Sequence, residues 1–173
     1  YIQNYDMKHQ NGKYPVIDED DEKRADLYGK KGSFAEHITK ERAGVLEAID
    51  VRNTEFTIED LKTNLSNDSL KGIAFDEDKI NRDDVIAAFP NLEFLNGEFT
   101  EKYTKWSLFF ITNCKAAQNV TKINLKDRKV KEIKKEAFAE FTNLLTIDVR
   151  GNSVDIKDLK EKIPSILTIR SEE

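Results

Sequence analysis

The sequence has a single cysteine, Cys114, among 173 residues. No intrachain disulfide can form, which excludes a fold held by cystine bridges. Its only basic neighbour is Lys115, and the thiol reads as a small buried hydrophobe rather than a nucleophile. Histidine is almost as scarce. His9 and His37 have no metal-ligand or nucleophile companion at helical spacing, so a histidine-based active site is not expected. The chain also has no glycine-rich phosphate loop, no paired-cysteine zinc site and no strained nucleophile turn. Acidic clusters at Asp18 to Glu22 and Asp76 to Asp84 lack the central glycine and closing glutamate of a calcium loop and read as solvated charge. No catalytic residue, metal or cofactor is therefore expected. No apolar run approaches the roughly 18 to 20 residues of a membrane span, and no secretory leader stands at the start.

Charge, by contrast, is abundant. Charged residues make up 35% of the chain with a net charge of -5, so the molecule as a whole is not drawn to nucleic acid or anionic membrane. The length suits one domain, and a monomer is expected. The first residue is Tyr1, which reads as a trimmed or processed chain and leaves an earlier leader open. Compartment is left open too, between intracellular and secreted or bacterial-surface settings.

The strongest pattern is a repetition. Val120, Ile123, Leu125 and Val130 fall on the template L-x-x-L-x-L-x-x-N-x-L, and Leu144, Ile147, Val149, Asn152 and Val154 fall on it again, 24 residues later. Leu46, Ile49, Val51 and Phe56 match, as do Leu70, Ile73, Phe75 and Ile80. Leu92 and Leu95 open a weaker copy that continues with Gly97 and Thr100, and Ile166 and Ile169 open a last one. The anchors 46, 70, 92, 120, 144 and 166 repeat a 24, 22 spacing, and IDVRNTEFTIEDLK from Ile49 parallels IDVRGNSVDIKDLK from Ile147. Each copy reads as a short strand, a turn and an amphipathic return, which cannot bury its apolar flank without a neighbour.

On these residues the chain resembles the leucine-rich repeat family from about Val45 to Arg170. The resemblance implies an α/β fold: a right-handed solenoid of about six coils, with a parallel β-sheet on the concave face and short helices on the convex face. The family's interior asparagine ladder corresponds to Thr54, Asp78, Thr100, Arg128 and Asn152, so a somewhat irregular stack is expected, with Arg128 needing help to sit inside.

Residues 1–44 read as an N-terminal arm and cap, with Phe34, Ile38 and Leu46 turned inward, and residues 45–173 as the solenoid. Convex returns are expected at Ile58 to Leu65, Asp83 to Phe89 and Glu136 to Phe141, with Phe89 and Phe141 in the core. Tyr103, Trp106 and Phe110 share helical spacing and read as a convex helix packing its aromatics on the coil, with a protruding binding anchor as the functional alternative. The last coil leaves an open sheet edge, so the expectation is either that the chain is cut short here or that Ser171, Glu172 and Glu173 keep the edge soluble.

Strand alternation places the polar residues between the anchors on one face of the sheet. Its first column is Ala48, Gly72, Phe94, Lys122, Thr146 and Thr168, its second Asp50, Ala74, Asn96, Asn124, Asp148 and Arg170, and its third Arg52, Asp76, Glu98, Lys126 and Arg150. By analogy with the family this face binds a protein partner, with Asp50, Arg52, Asp76, Phe94, Asn96, Glu98, Asn124, Lys126, Asp148 and Arg150 as candidate contacts. Small residues in the N-terminal half would let that partner approach closely, and Arg150 and Lys126 are expected to be exposed. The function read from the sequence is thus a non-enzymatic protein-interaction module. The alternatives are a targeting or regulatory part of a larger enzyme or bacterial effector, and a cell-surface adhesion protein.

Overall fold

The computed structural model describes residues 23–112, 116–163 and 165–171, with side chains at 110–112 excepted. His9, the possible strand at Tyr14 to Ile17 and Cys114 lie outside them. The fold is α/β with parallel sheets. One sheet joins β1 (Arg24–Asp26), β2 (Ala48–Asp50), β3 (Gly72–Ala74), β4 (Phe94–Leu95) and β5 (Glu98–Phe99); the other joins β6 (Lys122–Asn124), β7 (Thr146–Asp148) and β8 (Thr168–Arg170). Among the described residues six short α-helices fall between the strands: α1 (Lys40–Ala43), α2 (Ile58–Asn64), α3 (Arg82–Ala88), α4 (Lys105–Thr112), α5 (Lys135–Phe138) and α6 (Ile156–Lys162). None is long and apolar enough to cross a membrane.

The strand register follows the anchors. Ile49 pairs with Ile73 and Ile73 with Leu95 in the first sheet, and Ile147 pairs with both Ile123 and Ile169 in the second. Each of these residues except the outermost, Ile169, is buried, and each such burial contributes about 1.5–3 kcal/mol. Phe89 and Phe141 are buried where the spacing puts them, between strand and helix. Helices of four to eight residues are too short to persist alone, and local caps support them. The side chains of Thr39, Thr57, Asn81 and Asp155 accept backbone N–H bonds at the starts of α1, α2, α3 and α6. The stretch read as a cap holds β1, which pairs with β2 at the same 24-residue offset, Ala25 against Ile49. Phe34, Ile38 and Leu46 are buried as read.

One expectation is corrected: the strands do not form one continuous row. After β4 the chain reverses through Asn96 (φ 49°) and Gly97 (φ 82°), and β5 pairs antiparallel with β4. Two consecutive positive φ values are the type I′ hairpin geometry that Asn-Gly favours. The fourth copy therefore ends the first sheet instead of passing it on to β6. The two halves meet through Arg128, whose carbonyl accepts the Phe99 N–H (2.9 Å) and whose Nη1 donates to the Gly97 carbonyl (3.0 Å). The buried guanidinium also lies 5.6 Å from the Phe94 ring centroid, and these contacts compensate its charge inside.

The turns that leave the strands share a device. A side-chain Oδ1 accepts the N–H two residues on, Asp26 from Tyr28, Asp50 from Arg52, Asn124 from Lys126 and Asp148 from Arg150, at 2.9–3.2 Å. The next residue is left-handed in all four: Gly29, Asn53, Asp127 and Gly151. Gly151 has φ 76°, and a Cβ there would run into Oδ1 of Asp127 on the neighbouring turn. Gly151→Ala is expected to lower stability by about 1–2 kcal/mol, measured by urea unfolding, because a side chain in this conformation clashes with its own backbone.

Candidate functional site

The polar face is closed in the first sheet and open in the second. In the first, Ala48, Gly72 and Phe94 are buried, and the cover is the chain's own Trp106. Its Cη2 lies 3.4 Å from where a Gly72 Cβ would stand, so the missing side chain is what admits the indole. Trp106 Nε1 donates to Glu47 Oε1 (3.1 Å), and Lys71 Nζ sits 5.7 Å from the ring centroid. The start of α4 is fixed by the buried Glu93, whose Oε1 accepts from Thr104 N (2.9 Å), Thr104 Oγ1 (2.6 Å) and Ser107 Oγ (2.6 Å). Farther along, Leu108 is fully buried and Phe109 packs 5.5 Å from Phe141 in the second half. The helix thus bridges the two halves, not the convex side of one coil. Close approach at the small residues is already used within the molecule.

This placement corrects several expected contacts. Phe94 is 3% exposed, held between Phe99 and Arg128. Asp50 and Arg52 are also buried and form a two-bond ion pair, Nε to Oδ1 at 3.0 Å and Nη2 to Oδ2 at 2.7 Å. Asn96 is buried; its Oδ1 accepts Phe75 N–H (2.8 Å) and its Nδ2 donates to Glu77 (3.0 Å). Asp76 is half-buried and accepts Asn53 N–H at 2.7 Å. None of these five stands free for an incoming group.

Glu98 belongs to the joint between the halves. It faces Arg82 (3.2 Å) and Lys129 (2.9 Å), and Arg82 also pairs with Glu77 (2.7 Å). Arg82, Glu98 and Lys129 line a cleft of about 460 Å³ together with Ile86, Tyr103 and Lys134. Tyr103 Oη donates to the Glu132 carbonyl (2.7 Å) and accepts Lys134 N–H (3.0 Å), and burial pushes its phenol up to about 12. Hydrogen bonds from Arg82, and more weakly from Asn96, hold the Glu77 carboxyl down at about 2 against the opposing effect of burial.

The second sheet presents an open face. Lys122, Asn124, Lys126, Thr168 and Arg170 are exposed, and Thr146 is half-buried. Asp148 repeats the Asp50 arrangement: Arg150 holds it with Nε to Oδ1 at 3.0 Å and Nη2 to Oδ2 at 2.7 Å, and the Arg150 bonds lower its carboxyl pKa. Arg150, expected to be exposed, is half-buried because of this pair. Of the ten contacts read from the sequence, Asn124, Lys126, Asp148 and Arg150 are brought together here. Lys122, Thr168 and Arg170 complete the face and were legible from their columns alone. Among the described residues no group of three His, Cys, Asp or Glu side chains could hold a metal ion.

Two outcomes test this geometry. Gly72→Leu should push the indole off the first sheet, and the emission of Trp106, the only tryptophan, should shift to the red in the folded protein. Glu77, with its folded pKa near 2 against an ordinary 4.5, stabilises fully above about pH 4.5 and loses that contribution as pH falls toward 2. Glu77→Gln should therefore show a smaller fall in melting temperature between about pH 5 and pH 2 than the parent. Compared with known proteins, the chain matches no protein-family model and no curated protein.

Proposed function

We propose that the chain is a leucine-rich-repeat solenoid, right-handed and with its parallel sheets on the concave side, that binds another protein without catalysing a reaction. The architectural part of the reading is supported by strands 24 or 22 residues apart that pair in parallel register, with a helical return in most of the steps between them. Parallel neighbours joined by a helical crossover are right-handed in nearly all proteins. The copied Asp-x-Arg ion pair at Asp50–Arg52 and Asp148–Arg150 fits a duplicated half.

The single observation that carries the docking reading is the contrast between the two faces. Trp106 covers the first, whereas Asn124, Lys126 and Thr168 on the second remain exposed. A solvated sheet face rimmed by charge is suited to a partner surface of matching polarity. The contact set is accordingly Asn124, Lys126 and Arg150 from the sequence reading, with Lys122, Thr146, Thr168 and Arg170 beside them; Asp148 is buried and holds Arg150 in place.

Bulk placed on this face tests the reading without touching its charge. Asn124 and Thr168 are exposed, so Asn124→Tyr with Thr168→Tyr should leave the melting temperature within a few degrees of the parent. In affinity capture from an extract of the source organism, read by mass spectrometry, the doubly blocked protein should lose the partners that the parent retains. Retention of every partner by the blocked protein, with the fold intact, would falsify docking through this sheet.

A further inference from the structure

We propose that the open face of the second sheet receives an acidic segment of the partner protein that also carries leucine-like side chains. The inference rests on the docking reading above and adds the chemistry of the occupant. Its basis is a reversal of charge within one molecule. On the polar face of the first sheet and its strand-end turns, Arg24 and Arg52 stand against Asp26, Asp50, Asp76, Glu77 and Glu98, two cations to five carboxylates. On the second, Lys122, Lys126, Arg150 and Arg170 stand against Asp148 and the turn residue Asp127, four cations to two carboxylates, although the whole chain carries -5.

Of these two carboxylates, Asp148 is already paired. Asp148 lies 2.7 Å from Arg150 and 3.7 Å from Arg170. Lys122 and Lys126 are exposed and, among the described residues, have no ion-pair partner. Asp127 offsets part of their field, but cations remain in excess on this face, and carboxylates brought to it gain attraction without breaking a pair.

The apolar part comes from the starts of the same strands. Leu145 is 42% exposed and Leu167 78% exposed, and the Leu167 N–H donates to the Leu145 carbonyl (2.9 Å), so the two lie on adjacent strands. In the first sheet Lys71 N–H donates to the Glu47 carbonyl at 2.7 Å in the same way, and there Glu47 and Lys71 hold Trp106. The position that grips a covering side chain in the first half is thus polar, while its counterpart in the second is a bare leucine pair. A nucleic-acid strand could use the cations but has no aliphatic group for the leucines. A peptide with both carboxylates and leucines satisfies both features.

The probe is a fluorescein-labelled peptide, Glu-Glu-Leu-Glu-Glu-Leu-Glu-Glu, titrated with the full chain and read by anisotropy. Controls are the same peptide with lysine in place of glutamate and a labelled oligothymidylate. The acidic peptide should bind, more weakly as salt is raised. Lys122→Glu with Lys126→Glu should weaken it about ten-fold or more, equivalent to roughly 1.4 kcal/mol, and Leu145→Ser with Leu167→Ser should weaken it at unchanged salt dependence. Amide shifts in labelled protein should fall on β6, β7 and β8. Equal binding of the lysine peptide, tighter binding of the oligothymidylate, or indifference to the double Lys→Glu change overturns the assignment. If the Asn124→Tyr, Thr168→Tyr protein loses its captured partner while the double Lys→Glu protein keeps it, the docking face stands and its acidic occupant falls.

Discussion

Among the described residues no strand is longer than three residues, and a three-residue strand makes too few ladder hydrogen bonds to hold its place. Cohesion depends instead on an apolar residue at the centre of each strand meeting its counterpart on the next. Ala25, Ile49, Ile73 and Leu95 form one such line and Ile123, Ile147 and Ile169 another. The returns supply the opposite wall, with Leu61, Val85, Phe89, Phe138, Phe141 and Leu159 buried behind the strands. Ladder bonds set the spacing, and burial supplies the greater part of the stabilising free energy.

The same constraint explains why the interruption at the middle is built as it is. The hairpin at Asn96 and Gly97 ends the first sheet by covering the β4 edge with the two-residue β5. It also leaves the apolar flank of the second half without the strand that would have covered it. Phe99, Tyr103, Leu108 and Phe109 fill that gap, Phe99 and Tyr103 stacking at 5.1 Å. Arg128 then does at this joint what asparagine does inside the second half. Asn152 accepts Arg128 N–H and Val130 N–H and donates to the Leu125 carbonyl, tying adjacent turns, whereas the longer Arg128 side chain reaches across to Gly97.

Much of this was legible in the chain and some was not, for identifiable reasons. Residues whose role is set by burial, such as Leu46, Phe89, Phe141 and Ile147, could be read because apolar spacing reports burial directly. The Asn96–Gly97 reversal was also written in the sequence, as a turn pair between Phe94-Leu95 and Phe99, but the match of Leu92 and Leu95 to the longer period masked it. Asp50 and Asp148 were read as contacts because they alternate onto the polar face. Their carboxylates instead serve the turn and the arginine two residues on, a local role that alternation cannot distinguish from exposure. The covering of Gly72 by Trp106 was beyond sequence reasoning, since it joins residues 34 positions apart through tertiary packing.

The register carries a further consequence. Ala48 pairs with Gly72 across 24 residues, and Gly72 with Phe94 across 22; likewise Lys122 with Thr146 across 24 and Thr146 with Thr168 across 22. Two residues gained or lost between strands therefore leave every side chain on its own face. The slack is taken up in the loops and helices opposite, while the left-handed turns, stacked on one another, have none to give. Insertions and deletions in the history of this chain should accordingly gather on the helical side, leaving the sheet faces free to change only by substitution.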